Sequence, residues 1–181
     1  EWYTMLSIAD ESTNRNHYFL TLCEVEPGVV LAGGYAAGIY IIHKQSRNTR
    51  FVKPDLITPE KYIQTMFFDK FDHTIWMGGE NQLINISYIG GEIKVNHAEA
   101  FRGVNYITER DAETLWIGTK DGLYRFHKRT REKFRVDLPL ERFKVNTIHQ
   151  DPDGTLYIGT HHNGLLVYNE RENYFHKYNH K

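Results

Sequence analysis

The sequence predicts an all-β protein made of four copies of one four-stranded antiparallel unit. Three observations carry this. A glycine-anchored segment recurs as "VVLAGG" at Gly33, "TIWMGG" at Gly78, "TLWIGT" at Gly118 and "TLYIGT" at Gly159, every 40 to 45 residues. Each copy is followed by a short apolar run opened by Gly38, Gln82, Gly122 or Gly164. Aromatic residues make up 14% of the chain, and aromatics favour pleated, half-buried surfaces over helices. Self-similarity at this period, with short strands and turn residues between them, points to stacked repeats.

The last copy is the clearest. Its strands are predicted at Val145–Gln150, Thr155–Gly159, Gly164–Asn169 and Tyr174–Tyr178. The separators are "DPDG", "HHNG" and "NEREN", whose Asp, Asn, Pro and Gly supply the backbone angles of tight turns. "TKDG" and "KRTREK" serve the third copy, whereas Gln82 replaces the turn glycine of the second and predicts a different turn there. Seven residues before each anchor segment's opening Val or Thr stand Leu22, Phe67, Ile107 and Ile148, one per first strand. "TRFV", "IKVN", "EKFRV" and "YFHKY" close the four units, and "EWYTML" at Glu1–Leu6 reads as the closing strand of a preceding one.

Units of four strands and about 40–45 residues are the mark of β-propeller blades, because stacking around an axis covers both faces of each small sheet. The predicted architecture is therefore a partial β-propeller. It has an orphan N-terminal outer strand (1–6) and blades at about 18–54, 62–98, 104–137 and 145–179. The orphan strand makes it a fragment of a larger propeller, with open sheet faces at its ends.

The bulk numbers exclude several classes. Lys plus Arg is 22 against 23 for Asp plus Glu, a net charge of -1 with no basic block, so the footprint of a nucleic-acid binder is missing. No run reaches the ~18 apolar residues of a membrane span, so no direct membrane insertion by this segment is expected. The single cysteine, Cys23, allows no internal disulfide and sits in an apolar run as a buried, inert thiol.

An element repeated in every blade serves packing first. Trp76, Trp116 and Tyr157 are accordingly expected between neighbouring blades, and Gly78, Gly118 and Gly159 at sharp strand exits. Ligand contacts are better sought where copies differ, in loops held by the scaffold. The loops between second and third strands offer Tyr35, Glu80, Asn81, Lys120, Asp121, His161 and His162. The connections between blades offer Arg102 and Arg142, with Lys61, Tyr62, Tyr106 and Lys144 beside them. Both loop sets are expected on one face. Polar groups beside aromatic rings suit an oligosaccharide, and Arg or Lys an acidic one.

The ten histidines include one adjacent pair, His161-His162, but neighbours on a strand point to opposite faces and no ligand spacing is present, so no metal is expected. Glu24, Asp69, Glu109 and Gln150 form a recurring column late in the first strands. Its recurrence favours a blade feature over the paired carboxylates of glycoside hydrolysis. No nucleophile motif or phosphate-cradling loop appears, and no cofactor is implied.

The pattern Asp151, Asp153-Gly154, Thr155-Leu156-Tyr157-Ile158-Gly159-Thr160, Gly164-Leu165 resembles the two-component regulator propeller repeat. Thr114 to Thr119 with Gly122-Leu123 matches it again, and the first two copies match loosely. In that family such repeats build the periplasmic sensor region of bacterial hybrid two-component proteins. The resemblance implies a seven-bladed parent propeller and an inner-membrane sensor protein carrying a histidine kinase. It also implies a homodimer, the remaining blades as partners, and an oligosaccharide ligand. The expected role is non-enzymatic recognition, passed on by domain or dimer rearrangement. The alternatives are a propeller lyase or hydrolase acting on polysaccharide, and a protein-interaction scaffold.

Overall fold

The computed structural model describes residues 18–35, 38–53, 62–140, 143–172 and 174–178. Glu1–Leu6, the expected orphan strand, lies outside them. Among the described residues sixteen strands form four sheets, each a meander of four antiparallel strands consecutive in the chain. The first blade holds β1 (Phe19–Glu26), β2 (Val29–Gly34), β3 (Ile39–His43) and β4 (Thr49–Val52). The second holds β5 (Ile63–Asp69), β6 (Thr74–Gly79), β7 (Gln82–Ile89) and β8 (Glu92–Ala100). The third holds β9 (Val104–Glu109), β10 (Thr114–Thr119), β11 (Gly122–His127) and β12 (Lys133–Arg135). The fourth holds β13 (Val145–Gln150), β14 (Leu156–Thr160), β15 (Leu165–Asn169) and β16 (Tyr174–Tyr178).

Turn chemistry acts as the sequence implies. In "DPDG" the Gly154 amide donates to Asp151 O at 2.9 Å, Gly154 takes φ +93°, and Asp153 Oδ1 accepts from Thr155 N at 2.8 Å. The β10–β11 turn uses Gly122 at φ +136°, but no residue of 80–82 has positive φ, so the second blade turns differently, as Gln82 predicts.

The first strands β1, β5, β9 and β13 pack side by side, which places them nearest the propeller axis. Each of the three core clusters crosses a boundary between blades. Leu31 and Ile39 pack with Ile63 and Met66; Trp76 and Leu83 with Val104 and Ile107; Trp116 and Leu123 with Val145 and Ile148. The sheets are therefore held by side chains sandwiched between blades, as stacked repeats require.

Strand pairing corrects two positions in the repeat. Leu22, Ile107 and Ile148 pair with Ala32, Ile117 and Ile158, and the second-blade equivalent is Met66 opposite Met77, not Phe67. By the same shift Phe68, not Asp69, stands with Glu24, Glu109 and Gln150. The cause is a β5–β6 turn one residue longer than its counterparts. His73 turns there in the left-handed region, at φ +54°.

The anchor glycines also serve a different purpose from a sharp strand exit. None has positive φ. A Cβ on Gly118 would lie 2.5 Å from Val145 Cγ1, one on Gly33 2.5 Å from Met66 Cε, and one on Gly78 against Val104. These three glycines admit the first strand of the following blade, the close approach that a missing Cβ allows, whereas a Cβ on Gly159 would meet Thr147 of its own blade.

Candidate functional site

The two expected loop sets do emerge together. Tyr35 N donates to Tyr18 O at 3.0 Å, Gly103 N to Glu80 O at 2.6 Å, Lys120 N to Gly103 O at 2.9 Å and His161 N to Lys144 O at 3.0 Å. Each bond ties a second-to-third strand loop to the segment that opens a first strand. In the middle of the face, Gly103 bridges loops of successive blades.

Three groups of side chains stand on this face. Tyr35 and Tyr62 lie with ring centroids 5.1 Å apart, and Tyr18 meets Tyr35 edge-on at 6.4 Å. Lys120 Nζ reaches Glu80 Oε1 at 3.3 Å across the second and third blades, with exposed Arg102 beside Gly103. His161 and His162 are both exposed, with ring centroids 4.1 Å apart. They sit in the β14–β15 loop, not on a strand, so alternation does not part them as the sequence reading supposes. Among the described residues no group of three or more His, Cys, Asp or Glu could hold a metal.

Asn81 and Asp121 contribute through their backbones. Asn81 O accepts from Phe101 N at 3.1 Å, and Asp121 O accepts from Arg135 Nη2 at 3.2 Å. Arg142 lies outside the described residues. The structure thus brings Glu80 to Lys120 and His161 to His162, and gives Tyr35 two tyrosine neighbours, of which Tyr18 is new.

The axial first strands hold a further feature that no charge pattern in the sequence marks. A cleft of about 420 Å³ runs between them, lined in part by Thr21, Gln64, Asn105, Tyr106 and Asn146. It begins at the second residue of each first strand, next to the loop face.

The carboxylate column is a set of structural ties, one within its blade and three between blades. Glu24 Oε1 accepts from Gly28 N at 3.0 Å, Glu109 pairs with Lys70 at 2.5 Å, and Gln150 Oε1 accepts from Trp116 Nε1 at 2.5 Å. Asp69 is fully buried against Lys128 Nζ at 2.6 Å, joining the second blade to the third. Cys23 is buried at the first boundary, and burial pushes its thiol up to about 11.

Residues 144–162, the β13–β14 hairpin and the loop after it, match the family described as "Two component regulator propeller". The repeat resemblance and the all-β partial propeller expected from the sequence both stand. The chain is similar in fold to the extracellular domain of BT3049 from B. thetaiotaomicron, described as a proposed hybrid two component system. That likeness has TM-score 0.73 and 18% identity, over 92% of this chain and 25% of that one. The extracellular domain of BT4673 from the same organism matches with TM-score 0.71 and 22% identity, over 93% of this chain and 23% of that one. A streptogramin B lyase matches with TM-score 0.68 and 16% identity, over 88% and 54%. The chain thus spans about a quarter of the sensor structures' length. No curated protein matches its sequence. Among the described residues no helix is long and apolar enough to cross a membrane.

Proposed function

We propose that the chain is a ligand-reading part of the extracytoplasmic sensor region of a hybrid two-component protein, and that its ligand is a carbohydrate. The observation that carries the reading is the family match over 144–162. The loop face supports it. Tyrosines suited to stacking on sugar rings stand with polar and charged groups on a rigid scaffold. Further blades of the same protein cover the open end faces, and the region lies in the periplasm as part of an inner-membrane sensor. Binding at the loop face or between propellers acts by favouring one arrangement of domains, or of a homodimer, over another. No chemistry is assigned to this chain. Turnover of a polysaccharide is the second reading; the fold is shared with an enzyme, a streptogramin B lyase, and the same assay tests it.

A thermal-shift screen of oligosaccharides tests the reading. A specific glycan at about 100 times its Kd adds about 2.7 kcal/mol, which raises the melting midpoint by roughly 5–10 °C. Tyr35→Ala and His161→Ala reduce that shift. Cleavage of the glycan during the assay establishes the lyase or hydrolase reading instead. No shift with any glycan overturns carbohydrate recognition by this segment.

A further inference from the structure

The first strand of every blade carries a β-bulge at its second residue. Register shifts fall between Phe19 and Thr21, Ile63 and Thr65, Val104 and Tyr106, and Val145 and Thr147. The unpaired residues are Leu20, Gln64, Asn105 and Asn146, and all four line the axial cleft. A bulge frees one residue from the ladder and re-aims its side chain. Here it aims the same position of four blades at one space. Three of the four are carboxamides, each with donors and an acceptor on one planar group. Asn105 Nδ2 donates to Val145 O at 3.0 Å and so ties two blades. The side chains of Gln64 and Asn146 make no hydrogen bond among the described residues and have no comparable structural task.

The chemistry of the lining selects a ligand class. Among the described residues no charged one lines the cleft, while Thr21, Thr65, Thr108 and Tyr106 add hydroxyls to the carboxamides. Its volume of about 420 Å³ lies in the range of small-molecule sites. On the loop face Lys120 is paired with Glu80.

We propose that the bulge residues Gln64, Asn105 and Asn146 form a row that binds a neutral, polyhydroxylated ligand in the propeller axis. This rests on the carbohydrate reading above and narrows it. The sugar is uncharged, and its inner end sits among carboxamides, not among the lysines and arginines of the loops. Sugar hydroxyls donate and accept, and a carboxamide answers both.

The test uses Gln64→Leu and Asn146→Leu, singly and together. Leucine is what the chain itself carries at this position in the first blade, so the bulge accommodates it. Circular dichroism and the melting midpoint check folding. The probes are maltotetraose, cellotetraose and mannotetraose against tetragalacturonic acid, followed by calorimetry and by the side-chain amide NMR signals of Gln64 and Asn146. The expected result is binding of a neutral tetramer with movement of both amide signals, at least tenfold weaker in the double variant, and no comparable binding of the acidic one. A neutral tetramer that binds with unmoved amide signals and equal affinity in the variants overturns the axial row but leaves carbohydrate sensing in place. Tighter binding of the acidic tetramer does the same. If no tetramer binds, the proposal fails, and the wider glycan screen decides the sensor reading separately.

Discussion

Trp116 and Tyr157 hold the same place in successive blades and meet opposite surroundings. Each lies on the second strand, two residues before the anchor glycine, facing where a following blade would stand. Trp116 is 3% exposed, packed under Val145 and Ile148 and bonded through its indole to Gln150. Tyr157 is 36% exposed, on a sheet face shared with Leu165, Tyr174 and Tyr178. At the other end Leu22 is 66% exposed, whereas its counterparts Met66, Ile107 and Ile148 are buried by the preceding blade. The aromatic anchor therefore reaches full burial only when a neighbouring blade covers it.

Three measurements test how far the blades depend on one another. The largest expected effect is on Trp116→Ala, which removes a buried aromatic and costs about 3–5 kcal/mol in denaturant unfolding. Tyr157→Ala costs less than about 1 kcal/mol in this chain. Equal losses would show that the anchor works within its own blade. In a chain extended by neighbouring blades, the Tyr157 value should rise towards that of Trp116.

Next comes Gly118→Ala, whose methyl group meets Val145 Cγ1 at 2.5 Å; overpacking of this kind costs about 1–3 kcal/mol. Adding Val145→Ala should recover part of the loss in a double-mutant cycle, because the two atoms compete for one space. Strict additivity would argue against close approach as the reason for the glycine.

The smallest effect is a pH dependence at the boundary of the second and third blades. His97 meets the Trp76 ring at 5.2 Å, and its Nε2 is buried without a partner. Burial holds its pKa below the usual 6.5, helped by Arg131 and opposed by Glu99 and Asp72. The unfolded chain therefore takes up the proton first. His97's contribution to stability is intact above about pH 6.5 and is lost as pH falls through the lowered folded value. Melting midpoints at pH 7.5, 6.5 and 5.5 should fall more steeply for the native chain than for His97→Gln.

Much of this organisation was legible in the residues. Glycine spacing, turn chemistry and aromatic anchors carry blade number and strand order because they depend on local backbone needs repeated four times. Register was less legible. One extra residue in the β5–β6 turn leaves no mark in composition, yet it exchanges Phe67 for Met66 and Asp69 for Phe68 in the alignment of blades. The loop face could be named residue by residue, but not the meeting of Tyr18 with Tyr35 or of Glu80 with Lys120, since pairing across blades depends on tertiary geometry. The carboxamide row stayed hidden for a related reason. A bulge reverses the strict in-out alternation of a strand, so Gln64 and Asn146 read as ordinary outward residues until the pairing is seen.

Cys23 has a use that follows from where it lies. With its pKa near 11, only about one thiol in a thousand is ionised at pH 8, and the side chain is covered by the second blade. A thiol reagent can reach it only when the first two blades part. The labelling rate of this single cysteine therefore times the opening of one boundary, with no engineered probe, and reports its local unfolding free energy separately from that of the whole chain.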